Sequence, residues 1–262
     1  MGKLTRGPKR IRLGQHNLVS PTVAKRMIEL ASIHENETVL EIGTGKGMLT
    51  RQIAATGNPV MSFEIDPALY KVAIGELSAY SNVTLLFGDF FSTQKIVNFD
   101  VLITSLPYSR SLDLVEWLAG SSKSIRCAVV LAQREFVEKL LAIPGSNNYR
   151  AVSVICQTCF LTEKFDDVSA SDFSPSPKVS SCIVRFSTRG DQSPCLNLSQ
   201  IKLLKLIFSF RGKKLRSALR SMKISERNLT PSSSDFLNTR IEKLTPSDFL
   251  SLLNLEKMST HV

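Results

Sequence analysis

The stretch Val39-Leu40-Glu41-Ile42-Gly43-Thr44-Gly45-Lys46-Gly47 decides the fold of this 262-residue chain. A short apolar segment typical of a buried strand leads directly into three alternating glycines, and a helical pattern begins at Met48. A glycine-rich turn between a strand and a helix lets the backbone approach a ligand closely, beside the amide donors of the helix N-terminus. The stretch therefore predicts a ligand-binding turn at the carboxyl end of a strand.

Short apolar runs alternate with helical patterns on both sides of this turn, from about residue 38 to 186. Such alternation indicates βαβ units and a parallel sheet with helices on both faces. The predicted fold class is therefore α/β, with a Rossmann-like, mostly parallel sheet. The predicted strands are 39–42, 60–64, 83–87, 101–105, 128–133 and 180–186, and the predicted helices are 48–56, 67–79, 110–119 and 134–142.

The C-terminal part of the chain has a different, helical pattern. Leucine and phenylalanine recur at three- and four-residue spacing, and Thr230-Pro231 and Thr245-Pro246 suit helix starts. The predicted helices there are 200–222, 225–229, 232–239 and 246–256. We predict a basic N-terminal arm over 1–13, an α/β domain over 14–188, a linker over 189–199 and a small all-helical domain over 200–262.

The composition excludes several classes of protein. With 43% hydrophobic and 21% charged residues, the chain can bury a core and is not disordered. No apolar run approaches the ~18–20 residues of a membrane span, and no secretory signal is apparent. Five cysteines without framework spacing favour reduced thiols, and the Cys156–Cys159 pair lacks the second pair or histidine of a metal site. We expect a cytoplasmic monomer with no bound metal.

The charge of the chain is concentrated at its two ends. The net charge is +10, residues 1–13 hold five basic and no acidic residues, and residues 200–262 hold twelve basic and five acidic ones. A near-neutral body between two basic ends is typical of a core flanked by segments that grip a polyanion. A solvated, solubilising surface is the alternative interpretation of the same charges.

Three classes of ligand use a glycine turn of this kind. The dinucleotide pattern G-x-G-x-x-G/A fails at its third position, where the chain has Met48. The phosphate-binding pattern G-x-x-x-x-G-K-S/T fails at Leu40 and at Gly47. The remaining pattern, E-x-G-x-G-x-G, is that of enzymes that bind S-adenosylmethionine (SAM).

Two later acidic residues support a SAM site. Glu64 ends the next predicted strand, where a ribose diol is held, and Asp89 follows the third, placed to accept from an adenine amino group. Open α/β sheets bind ligands at these carboxyl ends of their strands. The cofactor-binding residues predicted from the chain itself are Glu41, Gly43, Gly45, Gly47, Glu64 and Asp89.

Several motifs then resemble one family. Ser105-Leu106-Pro107-Tyr108 is similar to the (D/N/S)-P-P-(Y/F) and N-L-P-Y motifs of enzymes that methylate the exocyclic amines of bases. The segments 13–18 (LGQHNL), 133–136 (QREF) with 144–146 (PGS), 173–181 (FSPSPKVSS), 208–215 (FSFRGKKL) and 244–249 (LTPSDF) resemble motifs of the rRNA adenine N6,N6-dimethyltransferases of the kasugamycin-resistance type. The resemblance extends over about residues 12–255.

The resemblance implies a function and a set of site residues. It implies SAM-dependent dimethylation, at N6, of two neighbouring adenosines near the 3′ end of small-subunit ribosomal RNA. Pro107 would hold the turn, and Tyr108 and Phe173 would sandwich the target base. The implied catalytic residues are Ser105, Leu106, Pro107, Tyr108 and Phe173; His16, Leu18 and Ser105 join the cofactor site; and the candidate RNA-binding residues are Lys9, Arg10, Arg12, Arg211, Lys213, Lys214, Arg216, Arg220 and Lys223.

The chain departs from the family pattern at two positions: it has Ser105 where asparagine is usual and Asn17 where phenylalanine is usual. A hydroxyl is shorter than a carboxamide, although it can still accept a hydrogen bond. The alternatives at this stage are methylation of DNA adenine or of large-subunit RNA, and a ribosome-assembly factor that retains the fold without turnover.

Overall fold

The computed structural model describes residues 16–93, 98–121, 125–188, 196–224 and 234–259. The strands are β1 (Asn17–Leu18), β2 (Val39–Ile42), β3 (Val60–Glu64), β4 (Val83–Phe87), β5 (Val101–Thr104), β6 (Cys127–Gln133), β7 (Phe160–Val168), β8 (Phe173–Ser174) and β9 (Ser181–Thr188). The helices are α1 (Pro21–Ala31), α2 (Met48–Ala54), α3 (Pro67–Leu77), α4 (Ser111–Ser121), α5 (Arg134–Leu140), α6 (Ala151–Cys159), α7 (Leu198–Phe208), α8 (Leu215–Ser221), α9 (Ser234–Leu237) and α10 (Pro246–Ser259).

A seven-stranded sheet in the order β4-β3-β2-β5-β6-β9-β7 forms the centre of the molecule. The pairs from β4 to β6 are parallel, whereas β9 is antiparallel to both of its neighbours. Strands β2 and β5 are buried throughout because helices cover both faces of the sheet. The chain builds outward from β2 in one direction and then returns to β5 on the other side, so a topological switch point lies between them. The predicted Rossmann-like α/β fold class is confirmed.

Sequence patterns missed three of the longer elements, α1, α6 and β7. Helix α6 contains several β-branched residues and passes directly into β7 at Phe160, with no glycine or proline between the two. Its side chains are buried on almost every side, so the segment lacks the polar face that marks an amphipathic helix. The segment 180–186, predicted as a further strand, forms β9, and β7 occupies the sheet edge beyond it.

The predicted helix over 200–222 is wrong. Helix α7 ends at Phe208, and a series of tight turns leads to α8 at Leu215. Gly212 lies in this break, where a helical glycine costs about 1 kcal/mol relative to alanine. The predicted helix over 232–239 is observed as the shorter α9, 246–256 lies within α10, and the predicted helix over 225–229 lies outside the described residues.

One apolar cluster runs from the sheet into the C-terminal helices. Its buried members include Leu102 and Val130 of the sheet together with Leu204, Leu219 and Phe249 of α7, α8 and α10. Leu196, within the predicted linker, is also fully buried in this cluster. The division of the chain into an arm, a catalytic domain, a linker and a helical domain stays a prediction, but the side chains of the two larger parts share one core.

An ion pair between Arg126 and Glu37 lies at the end of the sheet opposite the glycine turn. The Arg126 guanidinium donates to both carboxylate oxygens of Glu37, at 2.5 and 2.6 Å, and to the carbonyls of Ala31 and Ser32 at the end of α1. Arg126 holds the pKa of the Glu37 carboxyl below its ordinary value. Among the described residues, none of the helices is both long and apolar enough to cross a membrane.

Candidate active site

The three glycines after β2 adopt conformations that favour glycine. Gly43, Gly45 and Gly47 have φ angles of 90°, 59° and 78°, in the left-handed region that side chains disfavour. A Cβ atom added to Gly45 would lie 2.8 Å from Oδ1 of Asn17, which closes over the turn from β1. A Cβ on Gly47 would lie 3.2 Å from the Leu77 side chain. The glycines therefore allow the backbone to fit tightly between β1 and α3. Gly43 and Gly45 line the cavity above the turn, whereas Gly47, which was also predicted to bind the cofactor, packs against Leu77 and is not part of the cavity wall.

Glu64 braces this turn from the end of β3. Its Oε2 accepts from the Gly45 amide at 2.7 Å and its Oε1 accepts from the Asp66 amide at 2.8 Å. Burial raises the pKa of the Glu64 carboxyl, while these two amide donors oppose that effect. Glu64 also lines the cavity, so one carboxylate both shapes the turn and faces a ligand.

Glu41 lies inside the core and does not line the cavity. It is 1% exposed, and its Oε2 accepts from the hydroxyls of Thr50 on α2, at 2.6 Å, and Ser62 on β3, at 2.7 Å. Ser62 is in turn bonded to the Thr44 hydroxyl. Burial raises the pKa of Glu41 to about 8, so the carboxyl is mostly protonated at neutral pH. Its side chain joins β2, α2 and β3 beneath the glycine turn, rather than reaching the position of a cofactor.

Asp89 lies on the cavity wall beyond β4 and is bonded both within its own turn and to Arg110. It accepts from the Phe91 amide at 3.0 Å and from the Ser92 hydroxyl at 3.1 Å, as the cap of a 3₁₀ turn. Nη2 of Arg110 lies 3.4 Å from Oδ1 and 3.5 Å from Oδ2. The Arg110 guanidinium also lies 4.7 Å from the centre of the Phe91 ring. Arg110 is a cavity residue that sequence reasoning missed.

The segment Ser105–Tyr108 leaves the end of β5 beside the glycine turn. The Thr104 hydroxyl donates to the Ile42 carbonyl at 2.6 Å, which holds the ends of β5 and β2 together. Ser105, Leu106 and Pro107 line the same cavity as Gly43, Gly45, Glu64 and Asp89. The Leu106 side chain lies 3.8 Å from the position of a Cβ on Gly43. The topological switch point thus brings together two motifs that are about sixty residues apart in the sequence.

Tyr108 begins a 3₁₀ turn and is held by two other segments. Its hydroxyl lies 2.5 Å from Oγ of Ser181, at the start of β9. Its ring stacks on His16 with a centroid separation of 5.8 Å, and Nδ1 of His16 lies 2.7 Å from the Pro175 carbonyl oxygen. Burial raises the pKa of the Tyr108 phenol, so it remains neutral at physiological pH.

Leu18 and Phe173 lie apart from the cavity. They face each other in the antiparallel pair of β1 and β8, and they are 6% and 3% exposed. Both pack in the apolar cluster beneath α1 and α2. The cavity is instead lined by Asn17 of β1 and by His16, which precedes it. The structure therefore brings His16, Ser105 and Tyr108 together but keeps the Phe173 ring within the core.

The apolar part of the cavity was not predicted. Several of its apolar wall residues are direct sequence neighbours of Glu64 and Asp89. That proximity is the sequence signal from which they could have been predicted. Apolar walls that include two acidic side chains, Glu64 and Asp89, suit a purine nucleoside, whose ring is buried while its polar edge is hydrogen-bonded. These wall residues are Ile42, Phe63, Ile65, Leu69, Phe90 and Phe91.

Comparison with known proteins agrees with this geometry. The family described as ribosomal RNA adenine dimethylase matches residues 7–257. The chain belongs to this family. The ribosomal RNA small subunit methyltransferase A of Thermotoga neapolitana is 32% identical over 252 residues, which covers 93% of this chain and 90% of the relative.

Two solved structures share both the fold and most of the length of the chain. A dimethyladenosine transferase from Plasmodium falciparum matches with a TM-score of 0.77 and 26% identity, covering 93% of this chain and 98% of that one. The 23S rRNA methyltransferase ErmE matches with a TM-score of 0.64 and 25% identity, covering 91% and 98%. The predicted resemblance to the rRNA adenine dimethyltransferases is confirmed.

The basic residues predicted to bind RNA in this family member differ in their surroundings. Arg211 is engaged within the protein, because its guanidinium donates to the carbonyls of Tyr149 and Ser146 and pairs with Glu242 at 3.2 Å. Lys213 and Lys214 are exposed in the turn between α7 and α8. Lys9, Arg10 and Arg12 lie outside the described residues.

The remaining candidates, Arg216, Arg220 and Lys223, do not share one helix. Arg216 and Arg220 lie on α8, but α8 ends at Ser221 and Lys223 has a φ of 59° beyond it. Lys223 therefore lies beyond the helix that carries Arg216 and Arg220. Within the described part of the chain, no group of three or more histidine, cysteine, aspartate or glutamate side chains is placed to hold a metal.

Proposed function

We propose that this protein dimethylates N6 of two neighbouring adenosines near the 3′ end of small-subunit ribosomal RNA, with SAM as the methyl donor. The observation that carries the proposal is the shared cavity: Ser105–Pro107 and the turn glycines Gly43 and Gly45 line one space. Family membership and the small-subunit relative from Thermotoga supply the substrate class.

The described residues fit SAM. The glycine turn offers close backbone approach, Glu64 offers a carboxylate for a ribose diol, and Asp89 offers acceptors for an adenine amino group at the far end of the apolar walls. Both carboxylate oxygens of Asp89 already have hydrogen-bond partners, and the hydrogen bonds from Arg110 are the longest of these contacts. An adenine amino group bound at Asp89 would compete with Arg110 for its carboxylate oxygens.

When bound, SAM supplies a methyl group on a sulfonium, whose carbon–sulfur bond breaks with its electron pair going to sulfur as the new nitrogen–carbon bond forms. The amino nitrogen of adenine is a poor nucleophile because its lone pair is delocalised into the ring. An acceptor bonded to its hydrogens localises that pair and stabilises the developing positive charge. Ser105 offers its hydroxyl oxygen and the backbone of the segment offers carbonyl oxygens for this task. The product ammonium loses its proton to water.

Tyr108 is the residue that we assign to the target base. Its ring follows the acceptors of the Ser105 segment directly, so a base stacked on it presents its amino edge to them. Stacking of a base on an aromatic side chain contributes about 1–3 kcal/mol. Phe173 serves as the opposite wall in this proposal, which requires β8 to move, because the ring is buried against Leu18.

The proposal is tested by methyl transfer from labelled SAM. Purified small subunits, large subunits, their free RNAs and duplex DNA are incubated separately with the protein, and the label is located by mass spectrometry of nucleosides. We expect N6,N6-dimethyladenosine in small-subunit RNA. Label confined to DNA or to large-subunit RNA contradicts the substrate, and tight binding of small subunits without any transfer identifies a non-catalytic assembly factor.

We also propose that the protein acts as a monomer in the cytoplasm and grips its RNA through basic residues at both ends of the chain. Lysine and arginine contacts to phosphates position an RNA without reading its sequence. Light scattering of the free protein and of its complex with a small subunit gives the number of copies bound, and one copy is expected.

A further inference from the structure

A buried serine at the start of β9 reaches the aromatic ring of the active-site segment. Ser181 is 1% exposed and lies between Gln133 of β6 and Val168 of β7 in the sheet register. Its Oγ lies 2.5 Å from Oη of Tyr108, a residue 73 positions earlier in the chain. The antiparallel end of the sheet, which carries none of the cofactor residues, is thereby connected to the turn that faces the target base.

The contact fixes the ring of Tyr108 at its far edge. The backbone of the 3₁₀ turn holds one end of the side chain, and the bond to Ser181 holds the other. His16 stacks against the ring, with an interplanar angle of 28°. A ring held at both ends keeps one plane, and stacking against a base depends on that plane.

Strand packing alone does not explain a hydroxyl at this position. The following residues, Cys182, Ile183 and Val184, are all buried and apolar. A buried hydroxyl is costly unless it is hydrogen-bonded. The backbone of Ser181 pairs with Gln133 and Val168 and does not need the hydroxyl. The hydroxyl is therefore explained by its hydrogen bond to Tyr108.

We propose that Ser181 is a positioning residue for methyl transfer, and that its hydroxyl holds the Tyr108 ring in the plane on which the target adenine stacks. This inference rests on the proposed function. Ser181 acts through Tyr108 and needs no contact with SAM, so the two steps of the reaction separate: cofactor binding is independent of Ser181, whereas transfer to a correctly stacked base depends on it.

The test compares Ser181→Ala with Ser180→Ala, its exposed neighbour, as the matched control. In Ser181→Ala we expect unchanged SAM affinity by calorimetry and a fall in kcat of about ten- to a hundredfold, because small misplacements of reacting groups cost that much. Ser181→Thr, which keeps the hydroxyl, restores most of the rate. Small-subunit RNA with 2-aminopurine at the target position reports stacking directly: its fluorescence is quenched by wild type and less by Ser181→Ala.

Tyr108→Phe removes the same bond from the partly exposed partner and leaves β9 intact, so the test does not depend on how well Ser181→Ala folds. The double variant should be no slower than the slower single variant. Wild-type rates and quenching in both Ser181→Ala and Tyr108→Phe would overturn the role of Ser181. A wild type that neither methylates nor quenches overturns the proposed function instead.

Discussion

Oε2 of Glu64 accepts a hydrogen bond from the amide of Gly45 at 2.7 Å, across the ends of two neighbouring parallel strands. The residue predicted to hold the cofactor ribose therefore also supports the turn that approaches the cofactor. Because the two tasks meet in one carboxylate, the loss of Glu64 removes both a ligand contact and part of the shape of the site.

Glu64→Ala and Asp89→Ala are expected to differ in a way that follows from this dual role. Both weaken SAM binding, by at least about tenfold, because each removes a charged acceptor. Glu64→Ala also leaves the amides of Gly45 and Asp66 without an acceptor, which costs about 1–3 kcal/mol of stability. Asp89→Ala costs less stability, because the cap it removes lies on a part-exposed 3₁₀ turn. Calorimetry with SAM measures the first effect and thermal unfolding the second. Equal SAM affinity in wild type and both variants contradicts the assigned cofactor site.

Ser105→Asn is expected to methylate faster than the wild type. The carboxamide extends about one bond farther into the cavity and accepts from the adenine amino group directly, and one preorganised polar contact is typically worth about 10²–10³ in rate. Tyr108→Ala is expected to show no transfer. Single-turnover rates on small subunits measure both, with Ser217→Asn, on an exposed position of α8, as the control for an added carboxamide. A slower Ser105→Asn indicates that the cavity is adapted to the smaller side chain.

The stability of the protein is expected to fall as pH rises from about 4.5 to about 8, through Glu41. Its folded pKa of about 8 lies above the ordinary value of 4.5, so the folded state holds a proton that the unfolded state releases in this range. The slope reaches at most about 1.4 kcal/mol per pH unit. Glu41→Gln removes this dependence, and denaturant unfolding of both proteins at about pH 5.5, 7 and 8.5 measures it. Parallel pH profiles would show that Glu41 is ionised in the folded protein.

Arg126→Met is expected to lower the free energy of unfolding by about 2 kcal/mol at neutral pH, because it strips Glu37 and two carbonyls of their donor. The pKa of Glu37 is lowered in the folded state, so its contribution is present above pH 4.5 and is lost as pH falls through the folded pKa. The difference between wild type and variant therefore shrinks in acid. Arg51→Met, which breaks an exposed pair with Glu76, is the control and costs less than about 1 kcal/mol.

Charge reversal at Lys213 and Lys214 is expected to weaken RNA binding and flatten its salt dependence. Removal of one phosphate-binding cation lowers the slope of log K against log salt by about one unit. Binding of small-subunit RNA at several salt concentrations gives that slope, and deletion of residues 1–12 tests the other basic end. Lys25→Glu, at an exposed position of α1, is the control. Unaltered slopes in both variants mean that these charges are solvated surface.

The sequence predicted the parallel half of the sheet well, because each of its strands is a short apolar run, and several end in a glycine or an acid, as at Gly43 and Glu64. It missed α6 and β7 because a helix buried on nearly all sides has no polar face, and because the boundary at Phe160 carries no turn residue. Candidate site residues could be predicted where a short local motif contains them. Arg110 and Ser181 were missed because their roles depend on contacts with distant residues, Asp89 and Tyr108.

The continuous core between the sheet and the C-terminal helices has a mechanical consequence. Lys205 of α7 is bonded to Glu116 of α4 at 2.7 Å over buried Leu204, so the two parts cannot swing against each other without opening that core. The distance between the exposed surface around Lys213 and the cavity lined by Ser105 is therefore fixed. If RNA binds at Lys213 as proposed, a target nucleotide is selected by its distance from that contact, and the sequence in between is free to vary.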